Sequence, residues 1–142
     1  MTKLKICGLR ETDHVQAAVA ASADFLGFNF VPGARRQLAR DRARELIQQY
    51  RQQSEAGGPR VVGLFANQPL NDVNDIVRYC GLDMAQLCGD EPPEYWQQVE
   101  VPIIKQVKVR DTGHHDTVVS ELLRSVEAVV SHGCVAMLDK HQ

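Results

Sequence analysis

The chain has 142 residues, of which 44% are hydrophobic and 24% are charged, and its formal net charge is −2 at pH 7. This is an ordinary globular composition, and it gives no sign of a surface that binds nucleic acid. The apolar runs are shorter than the roughly 18–20 residues that span a bilayer, and the N-terminus has no signal-peptide pattern. We therefore expect a cytoplasmic protein that binds neither a membrane nor nucleic acid.

Six short apolar runs predict β-strands. In chain order they are residues 4–8, 24–32, 60–66, 84–88, 101–109 and 134–139. Helical patterns, with apolar residues three and four apart, lie between most of them. The apolar stripes of four such helices begin at Val15, Ala39, Val73 and Val119. Ser22 interrupts the first stripe, so we expect the first helix to be short. Residues 91–99 predict another short helix, with prolines at its N-terminal end.

Strands separated by helices predict one α/β domain over residues 1–142, with a parallel sheet and right-handed crossovers. Two architectures fit this pattern: an open doubly wound sheet, or part of a (βα)₈ barrel. A dinucleotide-binding sheet would carry G-x-G-x-x-G after its first strand. The sequence there is CGLRET, which lacks that fingerprint. Periodicity by itself leaves the choice open.

The cysteines and histidines show no metal-binding or redox spacing. The chain has no C-x-x-C pair and no H-x-x-x-H pattern among its five histidines. In a reducing compartment we expect four free thiols and no metal or cofactor. The sequence alone favours packing roles for the thiols, which are Cys7, Cys80, Cys88 and Cys134.

Several ordered motifs together resemble one family. They are KICG (5–8), ADFLGFNF (23–30), PGARR (32–36), VVGLFAN (61–67), AQLCGDE (85–91) and MLD (137–139). They resemble the motifs of phosphoribosylanthranilate isomerases, the (βα)₈-barrel enzymes of tryptophan biosynthesis. The resemblance implies a TIM-barrel-like parallel sheet of five βα units and a sixth strand.

Three departures from the family pattern stand out. Ala34 replaces a serine of the turn after the second strand, and Cys88 replaces a histidine of the fourth-strand motif. Eight βα units need at least about 200 residues, so we expect an incomplete barrel that ends after six strands. The phosphate-binding loops of the family follow strands seven and eight, and we expect them to be absent.

The resemblance also implies a reaction, an Amadori rearrangement of N-(5-phosphoribosyl)anthranilate to its 1-deoxyribulose isomer. By resemblance, Cys7 is the general base and Asp139 is the general acid, each at the end of a strand. Arg36 is expected to bind the anthranilate carboxylate with its planar guanidinium. Lys5 and Gln86 are expected to orient these groups from strands one and four.

Two other hypotheses about the function also fit the sequence. The chain could be an inactive barrel fragment, or a subunit that needs a complementing chain, or a small phosphosugar-binding protein with an unrelated task.

Six strands leave the first and sixth as open edges, and their apolar residues invite pairing with another chain. We therefore expect a homo-oligomer, most simply a two-fold dimer that covers these edges.

Overall fold

A computed structural model describes residues 1–109 and 115–140. Strands and helices alternate along it in the order β1 (Lys5–Cys7), α1 (Thr12–Ala20), β2 (Phe25–Asn29), α2 (Arg40–Gln53), β3 (Arg60–Phe65), α3 (Leu70–Cys80), β4 (Met84–Leu87), α4 (Pro93–Trp96), β5 (Ile103–Val109), α5 (His115–Ser131) and β6 (Val135–Lys140). The predicted alternation is confirmed, and His114 and His141 lie outside the described residues.

All six strands form one parallel sheet in the order β1-β2-β3-β4-β5-β6. This sequential order is that of a barrel, because a doubly wound sheet reverses its strand order at a switch point. The sheet also curls: Nζ of Lys5 on β1 lies 3.8 Å from Sδ of Met137 on β6. The structure therefore confirms the incomplete-barrel prediction over the open doubly wound sheet.

Alternation along the strands sends side chains to two cores. The larger core lies between the sheet and the helices, and it contains Leu26, Phe28, Val61, Phe65 and Leu87. A smaller cluster on the concave face consists of Val62, Met84 and Ile104, with Phe25, Leu64 and Met137 packed against it. Both faces of β3 and β4 are therefore covered, which explains their nearly continuous apolar sequences.

Backbone geometry sets the ends of the helices, and one helix is shorter than the sequence predicts. Ser22 adopts φ +57° just after α1, so this helix ends where its stripe breaks. Gly81 is left-handed at φ +67° and terminates α3. The predicted helix at 91–99 shrinks to one turn, Pro93–Trp96.

Apolar side chains remain exposed near β6. Within the described residues, Val119, Leu123 and Val130 of α5 are each more than half exposed, as are Val135 and Leu138 of β6. In a complete barrel the next βα unit would cover this side of the sheet. None of the described helices is both long enough and apolar enough to span a membrane.

Candidate active site

Cys7 is the last residue of β1, at the C-terminal edge of the sheet. It lies two residues after Lys5, whose side chain points into the concave face, so Cys7 faces the same interior. Gly27 of β2 pairs with Cys7 in the register of the two strands. A Cβ atom on Gly27 would lie only 2.8 Å from Sγ of Cys7, so the glycine provides the space that the thiol occupies.

Arg36, from the turn after β2, lies directly over the end of β1. Its Nη1 donates a hydrogen bond of 3.4 Å to the carbonyl of Cys7. Gly8 permits this approach, because it adopts φ +76° and an added Cβ would lie 2.4 Å from Cδ of Arg36. The KICG motif and the PGARR turn thus bring the guanidinium of Arg36 to the backbone of Cys7, which lies 29 positions earlier in the sequence.

Lys5 and Gln86 meet across the concave face. Nζ of Lys5 donates to Oε1 of Gln86, and Nε2 of Gln86 donates to Sγ of Cys88 at 3.3 Å. Gln86 is 3% exposed, so its two hydrogen bonds satisfy a buried amide. Burial raises the pKa of the Cys88 thiol, while the hydrogen bond from Gln86 lowers it. Cys88 is therefore held as a neutral thiol in contact with Gln86.

Asp139 lies on β6, two residues after Met137, and so faces the same interior as Cys7. Its carboxylate accepts a hydrogen bond from Nε2 of Gln106 on β5, and the residue is exposed. Sequence reasoning missed Gln106, although its position on alternate residues of β5 predicts an inward side chain. Within the described part of the chain no hydrogen bond or ion pair joins Asp139 to Cys7, and a small ligand between them would have to bridge the two strand ends.

A buried ion pair under the same edge was also missed. Nζ of Lys105 lies 2.9 Å from Oε2 of Glu91, and the two side chains are 8% and 2% exposed. Lys105 also donates to the carbonyls of Leu87, at 3.4 Å, and Gly89, at 2.6 Å. These two carbonyls flank Cys88, so the lysine of β5 fixes the backbone that carries it. A lysine within an apolar strand run indicates that Lys105 is a buried charge with a partner, but it does not identify Glu91 as that partner.

Asn67 connects the loop after β3 to the loop after β4 through two hydrogen bonds. Its backbone N–H donates to Oε1 of Glu91 at 2.8 Å, and its Oδ1 accepts from the N–H of Asp90 at 2.8 Å. Asn67 is left-handed at φ +55°, a conformation that asparagine tolerates. A Cβ on Gly89 would lie 2.5 Å from Oδ1 of Asn67, so only glycine fits there. The AQLCGDE and VVGLFAN motifs are thus one contiguous unit.

The remaining thiols lie away from this edge. Cys80 is buried, and burial raises its pKa to about 11. Cys134 also has a raised pKa because of burial. All four cysteines are free. Within residues 1–109 and 115–140, no three His, Cys, Asp or Glu side chains are grouped so that they could hold a metal ion.

Comparison with protein families identifies the sequence relationship. The sequence model described as N-(5'phosphoribosyl)anthranilate (PRA) isomerase matches residues 4–139. A Dehalococcoides mccartyi protein named N-(5'-phosphoribosyl)anthranilate isomerase is 36% identical over 141 residues, covering 99% of this chain and 63% of the relative. A Geobacter sulfurreducens protein of the same name is 39% identical over 121 residues, covering 83% of this chain and 56% of the relative. The chain thus spans less than two thirds of these relatives.

Solved structures agree with the sequence comparison. The Thermotoga maritima phosphoribosylanthranilate isomerase superposes with a TM-score of 0.82 at 25% identity, over 100% of this chain and 63% of that one. A structure of such an isomerase with reduced 1-(o-carboxyphenylamino)-1-deoxyribulose 5-phosphate gives a TM-score of 0.81, over 100% of this chain and 66% of that one. Another structure presents monomers of the dimeric T. maritima enzyme, with a TM-score of 0.79 over 99% of this chain and 65% of that one. The chain belongs to the phosphoribosylanthranilate isomerase family.

Proposed function

We propose that this chain is a single partial-barrel unit that catalyses the isomerisation of N-(5-phosphoribosyl)anthranilate to the 1-deoxyribulose 5-phosphate isomer in tryptophan biosynthesis. The observation that carries the proposal is the meeting of Cys7 and Arg36 at the end of β1, in a chain that matches the family over residues 4–139. The rearrangement needs one acid and one base, and no metal or redox cofactor.

Cys7 is the general base in this proposal. Once the furanose ring is open, the substrate is a Schiff base, and the thiolate removes the proton from C2 to give an enolamine. The enolamine then tautomerises to the ketone. The guanidinium of Arg36, which donates to the Cys7 carbonyl, places a positive charge beside the end of β1.

Asp139 is the general acid that protonates the ring oxygen and opens the furanose. Its support is its position, two residues after Met137 on the same face of β6 and near the C-terminal end of that strand. The hydrogen bond from Gln106 sets the direction of the carboxyl group. The carboxyl would donate its proton and leave a carboxylate that Gln106 continues to bind.

Arg36 binds the anthranilate carboxylate, and Lys5 and Gln86 position the reacting groups. The guanidinium of Arg36 is exposed, and its hydrogen bond to the Cys7 carbonyl leaves other N–H groups available. Lys5 and Gln86 contact each other rather than Cys7. Their role is therefore to hold each other's polar side chains in fixed positions on the concave face, below the bound substrate.

Steady-state turnover of the purified chain tests this proposal. Loss of the fluorescence of the phosphoribosylanthranilate substrate would be followed. The substrate is generated in situ, and the chain is present at micromolar concentration. The proposal expects turnover that is abolished by heating and by omission of the substrate's phosphoribosyl donor. A rate that does not rise with chain concentration would contradict it.

The alternative is an inactive fragment, or a subunit that needs a complementing chain. The exposed apolar residues on α5 and β6 favour a partner of some kind. We propose a homodimer that buries the open edges at β1 and β6, in the cytoplasm. Two of these exposed residues, Val135 and Leu138, belong to β6, and edge strands with unpaired backbone groups pair readily with another chain.

Sedimentation velocity at micromolar concentration decides the assembly. A sedimenting species of twice the monomer mass is the result that the dimer requires. Leu138→Lys should convert it to monomer, because a charge would then lie on the buried edge, whereas Arg124→Lys on α5 should leave it unchanged. A stable monomer of the unmodified chain would rule the dimer out.

A further inference from the structure

Lys108 and Asp139 start side by side at the C-terminal edge of the sheet. They are partners in the register of β5 and β6, and neighbouring strands lie about 4.8 Å apart. Lys108 follows Gln106 by two residues, and Asp139 follows Met137 by two, so both side chains start on the concave face. The proposed general acid therefore has a lysine as its neighbour on the adjacent strand.

The ammonium group of Lys108 is bonded elsewhere. Its Nζ lies 3.1 Å from Oδ1 of Asp90, in the loop after β4. The backbone of Asp90 is also held, because its N–H donates to Oδ1 of Asn67 at 2.8 Å. Within the described residues Lys108 forms no ion pair with Asp139, whose carboxylate accepts from Gln106 instead. Since β5 lies between β4 and β6, the Lys108 side chain leans toward β4 and away from Asp139.

Other titratable groups face Asp139 across the concave surface. Within the described part of the chain they are Lys5 and Cys7 of β1 and Cys88 of β4. Lys5 donates to Gln86, at a level two residues before Cys7 on β1, and burial favours the neutral thiol of Cys88. Helix α5 packs on the opposite face of β6, against the larger core. Lys108, by contrast, starts one strand away from Asp139 and at the same level.

A general acid must carry its proton before the reaction begins. A cation within about 4–6 Å of a carboxyl group favours the ionised form, which has no proton to donate. We propose that Asp90 is a positioning residue that holds the ammonium group of Lys108 away from Asp139, so that Asp139 keeps its proton for the ring oxygen of the substrate. The inference rests on the proposed function for this catalytic consequence, because the proposed function makes Asp139 the acid.

Asp90→Asn removes the charge that holds Lys108 while it keeps the shape of the side chain. The freed ammonium group then pairs with Asp139. The titration midpoint of the Asp139 carboxyl group should fall by about half a pH unit, the size expected for an exposed ion pair. Above the midpoint kcat should fall by about threefold, because the protonated fraction of the acid falls by that factor.

A pH titration of the free chain tests the inference without turnover. The carboxyl-carbon NMR signal of Asp139 is identified by its absence from Asp139→Asn. Its midpoint is compared in the unmodified chain, Asp90→Asn, Lys108→Met and the double variant. Asp75→Asn is the matched control, since it removes an exposed carboxylate that pairs with Arg78 on α3. Circular dichroism confirms that each variant is folded.

The midpoint should fall in Asp90→Asn and stay unchanged in Asp75→Asn. In the Lys108→Met background, Asp90→Asn should cause no shift, because the cation that it would free is gone. Two results would overturn the inference. One is an unchanged midpoint in Asp90→Asn. The other is an equal shift with and without Lys108, which would mean that Asp90 acts on Asp139 through its own charge.

The pH profile of kcat separates this inference from the isomerase proposal. In a chain that turns over its substrate, the alkaline limb of the profile should move with the NMR midpoint in Asp90→Asn and return in the double variant. A limb that stays in place while the midpoint moves would remove the positioning role of Asp90. A midpoint that moves as expected, in a chain without turnover, would instead keep the placement of Lys108 and remove the isomerase proposal.

Discussion

Gly27 of β2 faces Cys7 of β1 so closely that a methyl group on the glycine would lie 2.8 Å from the thiol sulfur. Gly27→Ala should therefore displace the Cys7 side chain and destabilise the chain by about 1–3 kcal/mol, as overpacking does. The displacement is measured as a changed rate of iodoacetamide labelling at Cys7, read by peptide mass spectrometry.

Gly63→Ala is the matched control, because Gly63 is also in a strand and its added Cβ would lie 2.5 Å from Leu82 on the other side of the sheet. It should lower stability and leave the labelling rate of Cys7 unchanged when measured well below the melting transition. Equal changes of labelling in both variants would mean that Gly27 has no special relation to the thiol.

Lys105→Met should strongly destabilise the fold. The change leaves the carboxylate of Glu91 buried without its partner, and breaking such a pair costs about 3–5 kcal/mol. Lys108→Met is the control, because Lys108 pairs at 3.1 Å with Asp90, whose side chain is 76% exposed, and such a pair contributes about 0–1 kcal/mol. Urea unfolding followed by circular dichroism measures both, and similar losses in the two variants would contradict the buried-pair account.

Sequence patterns predicted the strands well because each has a simple physical signal. An apolar run that is followed by a turn residue indicates a buried strand. The run that precedes Pro32-Gly33 is an example, and it contains β2. The motifs also placed Cys7 and Asp139 at strand ends, where the structure has them.

The pairing of Lys105 with Glu91 was not predictable in the same way. The two residues are on β5 and on the loop after β4, and no periodic pattern joins a strand to a loop. Gly27 was similar: a glycine within an apolar strand indicates close approach of another group, but the sequence does not say that the group is Cys7. Long-range contacts of this kind depend on the curvature of the whole sheet.

Arg36→Ala should raise the KM for the phosphoribosylanthranilate substrate more than it lowers kcat. The guanidinium is exposed, and the side chain contributes to folding mainly through its contacts with Gly8 and the Cys7 carbonyl. A lost carboxylate contact raises KM, because the ground state and the transition state both use it. Arg51→Ala is the control, since Arg51 pairs with Asp83 away from this site. A KM within twofold of the unmodified chain would remove Arg36 from substrate binding.

The stability of the chain should fall as the pH rises from about 9 to 11. Burial raises the pKa of Cys80 from 9.0 to about 11, so the unfolded state loses this proton first. The stabilisation is therefore complete below pH 9 and is lost as the pH passes through the pKa of the folded thiol. In Cys80→Ala the free energy of unfolding should fall less steeply over this interval. An unchanged slope in urea titrations at pH 8, 9, 10 and 11 would contradict the burial of this thiol.

The chemical step itself gives the most direct test of Cys7 as the base. Single-turnover conversion of phosphoribosylanthranilate, with the chain in excess over substrate, separates chemistry from product release. Cys80→Ala is the matched control, because it removes a thiol that lies away from the end of β1. The account predicts that Cys7→Ala lowers the single-turnover rate by about 10²–10⁴-fold, with an unchanged circular dichroism spectrum, while Cys80→Ala retains it. A Cys7→Ala chain that converts substrate at the rate of the Cys80→Ala chain would contradict the account.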